Sequence, residues 1–333
     1  MSKQGETMRV LVTGGAGYIG SVAIERLIDR GHDVVAVDNL QRGHAAAIHP
    51  DAERRDCDLR DAAQTSRVVA ESGAEAVMHF AALHLVPESV DKPGEYYQTN
   101  VSGGINLLNA VKDAGISRFV FSSTAAVYGE PESLPIRETD PKVPINPYGH
   151  SKWIVEQILQ TFADRYGINH AAFRYFNVAG ATAERGEDHN PETHVIPVAL
   201  QVLLGQRERF TVYGTDYPTP DGTAIRDYVH VADLADAHIA AIERLNTPLG
   251  AINLGTRDGF SVKQIVESVE RVTGKTLPVV HGDRRAGDPP ALIADTTRAR
   301  KLLDWNPTQS TMDEMIGSAW SWMQRHPHGY GRS

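Results

Sequence analysis

The chain has 333 residues, enough for about two domains, and its 41% apolar content is ample for a core. A net charge of −9 argues against binding nucleic acid or anionic membranes, so an anionic ligand would need a local arginine cluster. Cys57 is the only cysteine, which excludes an intrachain disulfide and fits a cytoplasmic protein.

Residues 1–7 are polar and have no apolar signal core, and Met8 is an alternative start. Residues 9–13 read as a strand. Gly15-x-Gly17-x-x-Gly20 follows it and opens a helix over 19–30, with Ile19, Val22, Ala23 and Leu27 at helical spacing and Gly31 as the stop. Strand before and helix after is the context a dinucleotide fingerprint requires. The glycines permit close backbone approach, and the helix N-terminus receives a pyrophosphate. Strand 33–37 leads to Asp38, whose carboxylate suits ribose hydroxyls and repels a 2′-phosphate. NAD is therefore favoured, with Arg42 nearby keeping NADP open. Asp58 ends another β-segment and reads either as an adenine contact or as a turn residue.

Further strands at 76–81, 118–122 and 170–174 alternate with helices near 100–114 and at 148–166. This pattern predicts an α/β fold with a doubly wound parallel sheet of the Rossmann type. On the long helix, Tyr148 and Lys152 are four residues apart and share a face. Half-ionising a tyrosine at neutral pH needs a shift of about 3 units from ~10, or roughly 4 kcal/mol. One ammonium at about 4 Å in partly shielded protein supplies that much. Tyr148 is the expected proton carrier, with Lys152 lowering its pKa.

After residue 176 Gly, Pro and charge increase. The stretch 195–204 is apolar but too short and interrupted to span a bilayer. Helices resume at 231–245 and 262–273, the latter with Ser261 and Gln264 at capping-box spacing. The division is a dinucleotide domain over 8–176 and a smaller mixed α/β substrate domain over 177–330, with later segments free to return to the first. The 14 histidines are scattered, so no metal is expected, and His326 with His328 reads as a mobile tail.

Thr13 to Gly20, Asp38-Asn39, Phe80-Ala81-Ala82, Ser122-Ser123-Thr124, Tyr148-x-x-x-Lys152 and Arg174-Tyr175-Phe176-Asn177 occur in the order seen in the extended short-chain dehydrogenase/reductase family, which the chain resembles. Asp216 to Thr223, Arg226 to Leu234, Arg284-Arg285-Ala286-Gly287-Asp288 and residues 320–329 are similar to its UDP-glucose 4-epimerase branch. The resemblance implies NAD held by Gly14, Gly17, Tyr18, Ile19, Asp38, Asn39, Asp58, Leu59, Phe80, Ala81, Ala82, His84, Asn100, Ser122, Tyr148, Lys152 and Tyr175. It makes Tyr148 the acid/base, assisted by Lys152, and has Thr124 hydrogen-bond the sugar 4-hydroxyl. Asn177, His194, Val195, Tyr213, Arg226, Val262, Arg285, Asp288 and Leu292 would hold a UDP-hexose. It also implies a homodimer formed by helices 100–114 and 148–166.

Three positions depart from that pattern. His84 stands where some members have lysine, removing a cation. His194 replaces an asparagine. Leu292 is intermediate between the large tyrosine and the small residues found beside the sugar 2-substituent. Ala125 and Ala126 follow Thr124 where related 4,6-dehydratases carry Asp-Glu, which argues against water elimination. A 4-epimerase of an N-acetylhexosamine, uronic acid or pentose nucleotide would use the same apparatus. A non-catalytic dinucleotide sensor is the reading from another class.

Overall fold

Short, continuous apolar strands need cover on both faces, and in the computed structural model of this chain they have it. The structure describes residues 7–285 and 288–331, so the extension at 1–6 and the motif residues Ala286 and Gly287 lie outside the described residues. The first half runs β1 (Arg9–Thr13), α1 (Tyr18–Asp29), β2 (Asp33–Asp38), β3 (Glu53–Asp56), α2 (Ala62–Ser72) and β4 (Ala76–His79). It continues with α3 (Val86–Asp91), α4 (Pro93–Tyr96), a π-helical turn (Tyr97–Ser102), α5 (Gly103–Asp113), β5 (Arg118–Thr124), α6 (Pro147–Tyr166) and β6 (Asn169–Tyr175). The second half carries β7 (Asn177–Ala179), α7 (Val195–Leu203), β8 (Phe210–Tyr213), β9 (Ile225–Arg226), β10 (Tyr228–His230) and α8 (Val231–Arg244). It ends with β11 (Gly250–Leu254), β12 (Phe260–Ser261), α9 (Val262–Thr273), β13 (Val279–Gly282), β14 (Ala291–Leu292), α10 (Thr297–Leu303) and α11 (Met312–Arg325).

Seven strands form one parallel sheet in the order β11-β6-β5-β4-β1-β2-β3. Ile24 and Leu27 of α1 pack with Leu234 and Ile239 of α8 on one face, and Val69, Leu107 and Leu159 from α2, α5 and α6 cover the other. The strand order reverses between β1 and β4, the switch point where open α/β sheets bind ligands. A cut at 176/177 would separate β11 from the sheet it completes.

A second body packs α7, α9 and α11 around Ile196, Leu200, Ile265, Val269, Ile316 and Trp320. The Ser261–Gln264 capping box opens α9 as its spacing predicts. The C-terminal segment is anchored, contrary to the mobile-tail reading. His326 stacks on Trp322 with ring centroids 4.7 Å apart, and Tyr330 Oη accepts a hydrogen bond from Gly186 N at 3.0 Å.

Candidate active site

A cleft of about 1180 Å³ opens above the switch point, between the sheet and the second body. A single drug-sized ligand occupies roughly 300–1,000 Å³, so the cleft has room for a cofactor and a substrate together.

The glycine turn forms one end. Gly14 takes φ +73°, and a Cβ there would lie 2.6 Å from Ala81 N; at Gly20 it would lie 2.1 Å from Gly14 O. Only glycine lets these backbones meet. Gly17, Tyr18 and Ile19 then face the cleft from the N-terminus of α1, which leaves backbone N–H groups for a diphosphate. Asp38 braces the turn by accepting hydrogen bonds from Ala16 N at 3.0 Å and Leu40 N at 2.8 Å. Burial pushes its carboxyl upward against those donors.

Asn39 Nδ2 donates to Asp58 at 3.3 Å. Hydrogen bonds from Arg60 hold Asp58 down at about 2, so this carboxylate is already engaged. Leu59, Phe80, Ala81 and Ala82 continue the lining. Glycine backbone, helix N-terminus and acidic strand end together fit a dinucleotide.

Asn100 stands behind this lining. It is buried and does not line the cleft. Its Oδ1 accepts from Leu83 N at 2.8 Å, and its Nδ2 donates to Leu83 O at 3.0 Å and Ser151 Oγ at 2.9 Å. It secures the wall from behind.

The candidate catalytic group sits where β5 meets α6. Asn146 caps α6 by accepting from Gly149 N at 2.8 Å, and Pro147 occupies its first turn. A Cβ on Gly149 would lie 2.6 Å from Ala126 O, so glycine is what lets α6 approach the turn after β5. That approach brings Tyr148 and Thr124 to the same stretch of the cleft wall.

Burial raises the Tyr148 pKa and the neighbouring Thr124 hydroxyl lowers it, with a net rise. Lys152 is 2% exposed, and its Nζ donates to Ser122 O at 2.8 Å. Burial pushes the ammonium down to about 7, with Glu156 opposing. Alone, the pair is a neutral phenol beside a weakened cation. Ser122 Oγ and the Tyr175 hydroxyl share a hydrogen bond, and burial raises Tyr175.

Beneath this group lies a buried network that sequence reading missed. Arg174 donates to Glu156 at 3.0 and 2.6 Å and to the Tyr128 hydroxyl at 2.9 Å. Tyr128 donates to Asn253 Oδ1 at 2.7 Å, and Ser123 donates to Glu156. Asn253 of β11 joins this network from 125 residues beyond Tyr128, so no local pattern announces it.

The opposite wall carries Asn177, His194, Val195, Tyr213, Arg226, Val262, Arg285, Asp288 and Leu292, all facing the cleft. Asn177 Nδ2 donates to Asp227 O at 3.0 Å. Arg226 pairs with Asp288, and the Arg285 guanidinium lies 4.2 Å from the Tyr213 ring centroid. Asp227 makes no pair with Arg226. It is buried and accepts from Thr256 N at 2.7 Å, Arg257 N at 3.1 Å and Ala294 N at 3.0 Å. Leu292 lies beside Arg226 across β14 and β9 and packs with Ala125 and Tyr128, which puts it between the arginine and the Thr124 turn.

His84 lies at the junction of the two halves. Burial pushes its imidazole down to about 3, so the position that lost a lysine carries no charge at neutral pH. Its neighbours form a second group that sequence reading did not single out, the Glu187-x-His189-x-x-Glu192-x-His194 run. His189 Nδ1 is 3.0 Å from Glu187, and His194 Nδ1 is 2.7 Å from Glu187 and 2.9 Å from Glu192. Burial works against charge on His194 and Glu187. Their mutual attraction, with Glu192 and His189 adding to it, still holds His194 well above and Glu187 well below their ordinary values.

Residues 10–255 match the model of the NAD dependent epimerase/dehydratase family. The chain is 48% identical to a UDP-glucose 4-epimerase of Lacticaseibacillus casei over 97% of this chain and 99% of that one. Among solved structures it is similar to UDP-glucose 4-epimerase from Brucella ovis in complex with NAD, at TM-score 0.91 and 44% identity, covering 94% of this chain and 98% of that one. It is also similar to the enzyme from Bifidobacterium longum in complex with NAD+ and UDP, at TM-score 0.91 and 38% identity, covering 96% and 99%.

Proposed function

The chain belongs to the NAD dependent epimerase/dehydratase family, and we propose that it interconverts UDP-glucose and UDP-galactose as a UDP-glucose 4-epimerase. The observation that carries this reading is the meeting of Thr124 and Tyr148 midway between a glycine-turn cradle and an arginine-bearing wall.

Gly14, Gly17, Tyr18, Ile19 and Asp38 would hold NAD, which supplies a hydride acceptor and donor at the sugar C4. Arg226 and Arg285 offer forked donors to a diphosphate, and Asp288 offers an acceptor to ribose hydroxyls. Tyr148 takes the 4-hydroxyl proton as C4 loses hydride, while Thr124 positions that oxygen. The 4-keto sugar turns over with its UDP end anchored. Tyr148 then returns the proton when hydride re-enters from the other face. Lys152 and Ser122 lie beneath this group, where a bound oxidised nicotinamide would add the positive charge that the half-buried phenol lacks. The protein acts as a cytoplasmic homodimer through α5 and α6, a reading that rests on the family pattern.

Incubating the purified protein with UDP-galactose and no added NAD should yield UDP-glucose, and acid release should free NAD. Tyr148→Phe should lower kcat by about 10²–10⁴-fold with UDP affinity unchanged. NADP as the released cofactor, or near-normal turnover of the variant, would remove this assignment. Light scattering at twice the monomer mass checks the dimer.

A further inference from the structure

The loop between β7 and α7 brings Glu187, His189, Glu192 and His194 together so that one ligand atom from each lies within 4.8 Å of all the others. We propose that this loop is a binding site for a divalent transition-metal ion, with Zn²⁺ the best match, held by two imidazole nitrogens and two carboxylate oxygens at the edge of the cleft.

The spacings suit a single ion. Zinc takes nitrogen and oxygen ligands at about 2.0–2.2 Å, which in a tetrahedron puts neighbouring ligand atoms roughly 3.3–3.5 Å apart. Here the Nδ1 atoms of His189 and His194 lie 3.0 and 2.7 Å from Glu187, and 3.8 and 2.9 Å from Glu192. Small adjustments of side chains would therefore complete the shell. Two carboxylates and two neutral imidazoles sum to −2, the charge a divalent cation neutralises. This mixed set also favours zinc, copper or nickel over the all-oxygen preference of magnesium and calcium.

The ligands are held in place in advance. The Glu187 and Glu192 side chains are only 7% and 3% exposed, so both carboxylates are fixed out of bulk water. Glu192 also accepts from Thr193 N at 2.7 Å and His194 N at 2.8 Å, supporting contacts of the kind that orient metal ligands. A second observation comes from His84. Its ring centroid is 4.7 Å from that of His189, and its buried Nε2 has no hydrogen-bond partner. Because both ligand imidazoles use Nδ1, their Nε2 atoms keep their protons. The half-exposed His194 could thus still donate to a diphosphate while holding a metal.

The test is equilibrium dialysis of the purified full chain, with its nucleotide retained, against Zn²⁺ alone. One ion per chain should bind, with affinity at least tenfold weaker in His189→Gln and in Glu187→Gln. His281→Gln, an exposed histidine far along the chain on β13, should bind like the parent. Should both loop variants fail to fold, the unaltered protein still decides the question. Loaded with Co²⁺, it should show two exchangeable, strongly shifted proton resonances from the two Nε2–H groups. No stoichiometric ion, equal affinity in the folded loop variants, or no shifted exchangeable resonances would overturn the site. None of these readouts uses turnover, so failure here leaves the epimerase reading standing, and failure of that reading leaves this one testable.

Discussion

The two walls of the cleft are stabilised in different ways. Under Thr124 and Tyr148, Glu156 and Arg174 are almost fully buried, and so are their side-chain partners Ser123 and Tyr128 and, behind Tyr128, Asn253; the half-buried Glu138 adds a backbone carbonyl. Across the cleft, Arg226, Asp288, Arg285 and Tyr213 stand on small two- and three-stranded sheets and loops, with Arg285 and Tyr213 exposed. The first wall is a rigid platform on which a proton can be placed. The second holds a half-buried Arg226–Asp288 pair beside an exposed Arg285, charges that can re-pair with a ligand. A reaction that anchors one end of its substrate and lets the other turn over has use for both.

Breaking the platform should produce the largest change. Glu156→Ala strands the buried Arg174 guanidinium and should cost about 3–5 kcal/mol of stability, read as a lowered urea midpoint. A midpoint within error of the parent would mean water already reaches the pair.

Acid should separate the walls by sign. Burial, with nearby Lys152, holds His79 down at about 3, and burial holds His238 down at about 4. The unfolded chain binds these protons near pH 6.5, so each histidine's contribution is present above that pH and is lost as pH falls toward the folded value. The loss is roughly 2 kcal/mol each by pH 5. His194 runs the other way: its raised folded pKa contributes stability that is full below about 6.5 and lost as pH rises through the folded value. Urea midpoints between pH 7 and 5 should therefore fall in the parent protein, and fall further once His194→Gln removes the opposing contribution.

On the second wall, Arg226→Ala should act on binding. Losing a charge-assisted contact to a diphosphate is worth about 1.5–3 kcal/mol, so KM for UDP-galactose should rise roughly 10–100-fold with kcat and the urea midpoint little changed. A drop in kcat alone would place Arg226 on the platform side of the comparison.

Leu292 bridges the two walls, and its effect should be the smallest. A small group added or removed in a pocket shifts selectivity by about 1–3 kcal/mol. Leu292→Cys should raise kcat/KM for UDP-N-acetylgalactosamine relative to UDP-galactose, and Leu292→Tyr should abolish the former alone. An unchanged ratio in all three proteins would take Leu292 out of the pocket.

Local chemistry made much of the protein legible from its sequence. The glycine turn, Asp38, the capping box at Ser261 and the helical spacing of Tyr148 and Lys152 are all written within a few residues, because backbone sterics and helix periodicity act over that range. The resemblance of the second-half motifs then pointed to Arg226, Arg285 and Asp288. Tertiary structure decided the rest. Asn100 turned out to hold Leu83 and Ser151, Lys152 to be drawn to Ser122 and weakened by burial, and β11 to close the sheet. The histidines at 189 and 194 were visible as letters. That both aim Nδ1 at the same two buried carboxylates depends on how the loop folds against the cleft. Burial and partner choice depend on which distant segments meet, and residue spacing does not record that.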